Sequence, residues 1–216
     1  MRKFILALIL AAACGATPAR AVDDARIGKK EFHSVVQLQN ESGRTFCSGV
    51  IVDHKVMTAY HCIAGGEAVY VETFRGRWEA AVWGTDETSD LAVLVPADRR
   101  ELPRGVRLAR SAPGYGEEVW VIGHALGEYT NSLTRGIVSH PRRENGIYGG
   151  LWMQHDAGQI GGNSGGPVLD AKGRLVGIVS FGVINGIYCV LGCAGAYQDT
   201  HINGAVHLSP IHSLLR

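Results

Sequence analysis

The sequence predicts an all-β protein made of two six-stranded antiparallel β-barrels, followed by a short C-terminal helix. Three observations predict it. Short runs rich in β-branched and aromatic residues recur between turn residues, and Gly alone fills 29 of 216 positions. These runs fall into two sets of six on either side of residues 110–116, a linker carrying Pro113, Gly114 and Gly116. No segment before Ser209 has both the length and the 3.6-residue period of a helix. Many short strands with turn signals between them are the mark of closed or sandwiched sheets.

In order, the first set of strands is expected at 35–39, 46–52, 55–59, 68–73, 77–83 and 91–95. The second set is expected at 117–122, 133–139, 151–155, 167–169, 174–181 and 205–208, with Asp170-Ala171-Lys172-Gly173 as a hairpin turn. Residues 209–215 read as the terminal helix, with Ser209 as N-cap and Pro210 in the first turn. The expected units are a barrel over 35–112 and a second barrel with the helix over 113–216. Residues 22–34 form an arm before them.

Residues 1–21 read as an export signal. Arg2 and Lys3 make a positive start, residues 4–13 are apolar but too short to span a bilayer, and Ala19-Arg20-Ala21 fits a cleavage site. The expected location is therefore the periplasm or the exterior. An alternative use of this segment is lipid attachment at Cys14, the one route by which a membrane partner is expected; Ala11 stands where that pattern has leucine. Removing Arg2, Lys3 and Arg20 from the 21 basic side chains leaves 18 against 20 acidic ones. That balance gives no electrostatic argument for nucleic acid or an anionic surface. Four cysteines remain beyond Cys14, namely Cys47, Cys62, Cys189 and Cys193, an even number that in an exported chain points to disulfides in one of three pairings. Their spacing does not suggest zinc, and no metal or cofactor is expected.

The segment Gly161-Gly162-Asn163-Ser164-Gly165-Gly166-Pro167 carries the chemistry. Glycine lets the backbone turn sharply and brings N–H groups close to a bound atom. A serine hydroxyl becomes a nucleophile when a base takes its proton, and bare backbone donors beside it stabilise the oxyanion of acyl transfer. Two other segments supply partners. Thr58-Ala59-Tyr60-His61-Cys62 follows an apolar run, and Ser89-Asp90-Leu91-Ala92-Val93-Leu94 sets an acid at the head of another. A charge at the start of a buried strand needs a partner, and a histidine N–H is a suitable one. Asp53 and Asp86 lie among polar residues and read as solvated.

With T-A-x-H-C, D-L-A-V-L and G-N-S-G-G-P in the order His, Asp, Ser, spaced 29 and 74 residues apart, the chain resembles the chymotrypsin-fold serine proteases. The similarity runs from about Val35 to Leu215 and leans toward the bacterial HtrA/Deg and glutamyl-endopeptidase branch. Val119-Trp120-Val121-Ile122-Gly123, Gly136-Ile137-Val138-Ser139 and Asp156-Ala157 carry that leaning. Only seven residues follow Ser209, so the PDZ domain common in HtrA proteases is not expected.

The resemblance implies an active site in the cleft between the barrels. It makes Ser164 the nucleophile, His61 the general base and acid, Asp90 the carboxylate that orients the imidazole, and the N–H groups of Gly162 and Ser164 the oxyanion hole. It pairs Cys47 with Cys62, which leaves Cys189 with Cys193 as a local bridge. It implies polypeptide substrates, and a substrate side-chain pocket lined by Gly158, Gln159, Ile160 and Gly161 on one side and Ser180, Phe181 and Gly182 on the other, with a wall near Cys193-Ala194-Gly195. Trypsin-like members hold an acid where Gly158 stands, and glutamyl endopeptidases a histidine where Val179 stands. An uncharged side chain is therefore expected in the pocket, aliphatic or aromatic, with the Gln159 amide able to hydrogen-bond a polar one. Asn163 departs from the Asp that in animal members pairs with a new N-terminus, so Arg26-Ile27-Gly28 reads as part of an ordinary arm.

The remaining histidines, His33, His54, His124, His140, His155, His201, His207 and His212, lack ligand spacing and read as structural or solvated. Two other readings compete. Gly162-Asn163-Ser164-Gly165-Gly166 also satisfies the G-x-S-x-G of an α/β-hydrolase esterase, but that elbow opens a helix, whereas Pro167-Val168-Leu169 reads as strand. A catalytically inactive binding protein on the same fold would ordinarily have lost one of the three residues, and all three are present.

Overall fold

The computed structural model describes residues 27–184, 187–189 and 199–216. A short helix α1 (Lys29–Ser34) leads into β1 (Val35–Gln39), β2 (Thr45–Val52), β3 (Lys55–Thr58), β4 (Val69–Thr73), β5 (Gly76–Asp86) and β6 (Leu91–Pro96). These six strands close into a barrel in the order β1-β2-β3-β6-β5-β4. After β7 (Arg107–Leu108) come β8 (Glu118–Ala125), β9 (Tyr129–Arg143), β10 (Trp152–His155), β11 (Pro167–Asp170), β12 (Arg174–Ile184), β13 (Ile187–Cys189) and β14 (Asp199–Val206). Six of them form the sequence β11-β8-β9-β10-β14-β12, and pairing of β11 with β12 closes this second barrel. Both β13 and the parallel β7 attach to β12. The terminal helix α2 (Leu208–Leu214) completes the chain. The architecture is the expected double barrel, and no parallel sheet with flanking helices exists among the described residues to host a hydrolase elbow.

Strand residues alternate between two faces. Here both faces are often buried, which is why runs such as Val50-Ile51-Val52 are apolar throughout. Ile51 points into the first barrel with Leu38, Val56, Val71 and Leu94. Val50 and Val52 instead join Leu91 and Val93 in a cluster that also holds Ile122, Leu169, Leu175 and Ile178 of the second barrel and Ile211 of α2. The two barrels thus share one apolar seam. The second barrel has its own interior around Val119, Val121, Met153, Val168 and Val176.

Several boundaries differ from the sequence expectation. Strands β5 and β9 are longer than 77–83 and 133–139, because their outer faces are solvated and carry no apolar signal at the ends. α1 forms within the expected arm. α2 begins before Ser209, and its N-cap is His207, whose Nδ1 accepts the Ser209 N–H at 3.1 Å. Histidine is not among the usual capping residues, so the polar but more familiar Ser209 drew the assignment.

Candidate active site

His61 sits in a single 3₁₀ turn, Tyr60–Cys62, just past the end of β3. Asp90 precedes β6, which pairs with β3, so the register brings both residues to the same rim of the first barrel. Three contacts join them. The His61 N–H donates to Asp90 Oδ1 at 2.9 Å, and Nδ1 lies 3.1 Å from Oδ1 and 2.9 Å from Oδ2. Asp90 is 1% exposed and adopts a left-handed backbone with φ of 53°. Asp tolerates this region better than most residues. Its N–H donates to Glu87 O and its carbonyl accepts the Tyr60 N–H, which hold it there. The Asp90 contact fixes Nδ1 as the ring nitrogen that carries hydrogen in the neutral imidazole. Nε2 is buried and makes no hydrogen bond among the described residues.

Ser164 lies on the opposite wall of a cleft that His61, Cys62, Gly161 and Gly162 also line. Residues 160–163 form a tight turn closed by Asn163 N–H to Ile160 O at 3.0 Å, with Gly162 at φ of 93°. A type II turn requires positive φ at its third residue. A Cβ on Gly162 would also lie 2.3 Å from His124 O, so only glycine fits. The Gly161 carbonyl accepts the Leu126 N–H at 2.6 Å. In a trans peptide C=O and N–H point in opposite directions, so the Gly162 N–H faces away from Leu126. Neither it nor the Ser164 N–H donates to any acceptor among the described residues. Ser48 of β2 holds this turn from the other barrel. Its N–H donates to Ser164 O at 2.8 Å, its hydroxyl donates to Gly162 O at 2.7 Å, and the same oxygen accepts the His124 N–H at 2.9 Å.

The residues expected to line the substrate pocket divide. Gln159 Nε2 donates to Phe181 O at 2.6 Å, tying the segment before the nucleophile to β12. The Gly158 carbonyl accepts the Thr134 hydroxyl at 2.6 Å. Gly182 stands beside Asn203 of β14, its register partner. The Ser180 side chain is engaged elsewhere than the expected pocket: its hydroxyl donates to Asp90 Oδ2, and the residue is 3% exposed. Cys47 and Cys62 are joined, linking β2 to the turn that carries His61. The Cys189–Cys193 pairing, Cys14 and Arg26 lie outside the residues or side chains described.

Sequence reasoning missed four contributors, Ser48, Leu126, Tyr148 and Asn203. Tyr148, from the segment between β9 and β10, lies nearly parallel to the His61 ring, 6.2 Å between centroids with 6° between planes. Burial and the Asp90 charge push its hydroxyl pKa well up. Only Ser48 had a nearby signal, being next to Cys47. Of the other histidines, His124 and His155 are 2% and 0% exposed, and burial pushes both down to about 4, so they are neutral at pH 7. A group of ligand-type side chains does occur at Cys47, His61 and Cys62, but the disulfide occupies both sulfurs.

Comparison with known proteins identifies the family and the fold. The trypsin-like peptidase domain family matches residues 47–178. The serine protease Do-like HtrA of Lactobacillus helveticus is 35% identical over 131 residues, 58% of this chain and 32% of that protein. A probable periplasmic serine endoprotease, DegP-like, of Hahella chejuensis is 41% identical over 143 residues, 62% of this chain and 29% of that protein. Among solved structures, the HtrA-type protease AlgW with tripeptide superposes with a TM-score of 0.72 at 25% identity, covering 86% of this chain and 60% of that one. The chain spans only 20% to 39% of the length of the curated relatives it matches. Because the family match runs from the disulfide at Cys47 through the Ser164 turn to Ile178 of β12, the chain belongs to the trypsin-like peptidase family.

Proposed function

We propose that this chain is an exported serine endopeptidase acting on polypeptides through an acyl-enzyme on Ser164. In this reading Nε2 of His61 takes the Ser164 hydroxyl proton as the oxygen attacks the substrate carbonyl carbon. Asp90 holds the imidazole in the required tautomer and stabilises the imidazolium. The carbonyl oxygen gains negative charge against the N–H groups of Gly162 and Ser164, an arrangement in which one donor is worth about 10²–10³ in rate. His61 then returns the proton to the leaving nitrogen, the C–N bond breaks, and water repeats the sequence to release the acid and regenerate Ser164.

The observation that carries this reading is the state of His61: Nδ1 engaged by a buried carboxylate, and Nε2 unpaired on the cleft that Ser164 and Gly162 line. Export is supported by the Cys47–Cys62 bridge, since disulfides persist in oxidising compartments. Gly158 and Val179 contribute no charge, which supports an uncharged substrate side chain before the cleaved bond. A fluorophosphonate probe tests the reading. It should label the protein covalently, and Ser164→Ala should abolish labelling; undiminished labelling of that variant removes Ser164 from the chemistry.

A further inference from the structure

We propose that the leaving side of the cleft selects a carboxylate side chain, Glu above all, within the first two residues after the cleaved bond, and that Arg44 is the residue that recognises it. This rests on the protease reading above and names part of its substrate class. The side of the cleft follows from the chemistry. His61 must protonate the leaving nitrogen, so the departing segment runs past His61 and away from the acyl group on Ser164. Two adjoining hollows border that path and share Arg44, Phe46, His61 and Cys62. The inner one reaches Ser164 and Gly162, with Leu126 at its edge. The outer one continues to Ile63, Glu67 and Val69. At about 280 and 460 Å³, both have room for a side chain.

Arg44 carries the only permanent charge among the residues that line the inner hollow. Its backbone is fixed in the turn between β1 and β2. The Arg44 N–H donates to Asn40 Oδ1 at 3.0 Å, and its carbonyl accepts the Asn40 N–H at 3.1 Å. Arg77 clamps the same turn, donating to the carbonyls of Asn40 and Glu41 at 2.7 and 3.1 Å. The Arg44 guanidinium, by contrast, is exposed and makes no hydrogen bond or ion pair among the described residues. A cation held on a rigid turn over the cleft, with all its donors unused, is open to an anionic partner.

A guanidinium offers a planar fork of donors that matches a carboxylate. Phe46 and Leu126 give the same hollow apolar walls, which suit the methylene stem of Glu better than the shorter one of Asp. Lysine or arginine in this place would meet a like charge. Glu67 borders only the outer hollow, so its carboxylate opposes an acid farther along the segment and not beside the cleaved bond. Successive residues of an extended segment advance roughly 3.3 Å each, which places the preference within the first two.

The test uses C-terminally amidated peptides, so that the varied side chain brings the only carboxylate. Glu is compared with its isostere Gln at the first and at the second residue after the cleaved bond. The expected result is a kcat/KM about three- to tenfold higher for Glu at one of these positions. The ratio should shrink toward one in about 0.5 M salt, where screening acts over roughly 4 Å. In Arg44→Gln the ratio should collapse, and in Arg44→Glu it should invert, with a Lys peptide cleaved faster than the Glu peptide. These ratios do not depend on total activity. Fluorophosphonate labelling of Ser164 without a Glu preference at either position would overturn the Arg44 inference while leaving the protease reading intact. A preference that survives in Arg44→Gln would overturn it equally. Absence of both labelling and cleavage would overturn both.

Discussion

The Ser180 hydroxyl, on the second barrel, donates to the carboxylate of Asp90 on the first. The reverse tie is Ser48 of the first barrel, which binds the carbonyls of both Ser164 and Gly162 on the second. Each barrel therefore holds a residue of the other's proposed catalytic set, and the apolar seam lies between them. The proposed chemistry thus depends on how the barrels pack as well as on each rim.

The Ser180 tie predicts a graded loss. A hydrogen bond to a charged group contributes roughly 1.5–3 kcal/mol, and Ser180→Ala leaves all three His61 contacts to Asp90 in place. Labelling of Ser164 by a fluorophosphonate should slow about tenfold. Asp90→Asn changes the tautomer of His61 and should cost roughly 10⁴. Equal effects of the two substitutions in a labelling time course would show that Ser180 does more than orient the carboxylate.

Ser48→Ala should be damaging without touching the cleft. Removing one hydroxyl leaves the Gly162 carbonyl and the His124 N–H, both interior groups, without their partner. Each orphaned group costs roughly 1–3 kcal/mol. A urea unfolding curve should show a loss of about 2 kcal/mol or more, with slower probe labelling because the Gly162 carbonyl is no longer held. A variant as stable and as reactive as the parent would count against the inter-barrel tie.

Much of this was legible in the sequence, for a physical reason in each case. Ser164 sits among glycines that a sharp turn demands, and Asp90 heads a strand so apolar that its charge had to be paired. Runs such as 50–52 and 91–94 read as strands because both faces are buried. What stayed hidden was set by tertiary register. The last strand is expected only over 205–208, yet β14 runs from Asp199 to Val206 and sets Asn203 beside Gly182. Ser180 is expected to line the pocket with Phe181 and Gly182, but its hydroxyl donates to Asp90 instead. Tyr148 lies in a polar segment with no periodic signal, and only the fold places its ring over His61.

The disulfide should stabilise by restricting the unfolded chain. Closing a loop of 15 residues is worth about 3 kcal/mol on the chain-entropy account. At roughly 2–4 °C per kcal/mol for a chain of this size, Cys47→Ala with Cys62→Ala should lower Tm by about 6–12 °C. Calorimetry of the parent, the double variant and the reduced parent checks this, and the last two should agree. A double variant that melts with the parent would mean the bridge leaves the unfolded ensemble unchanged.

Acid should destabilise the fold through two buried histidines that lie outside the proposed chemistry. His124 and His155 are held neutral, both near 4 against an ordinary 6.5. His207, capping α2 through Nδ1, is lowered in the same direction by burial and by Arg142. Because these pKa values are depressed on folding, the unfolded chain binds more protons than the folded one as pH falls below about 6.5, and stability then rises with pH. The stability that neutral imidazoles confer is complete above that point and is lost progressively down to about pH 4, at about 1.4 kcal/mol per pH unit for each histidine. Urea midpoints measured from pH 7 to pH 4.5 should therefore fall steeply, with a slope near two protons. Replacing His155 by Gln should remove about half of that slope even where it lowers the stability at pH 7. A flat profile between pH 6.5 and 4.5 would mean that these rings are protonated in the folded protein, with partners that the present geometry does not give them.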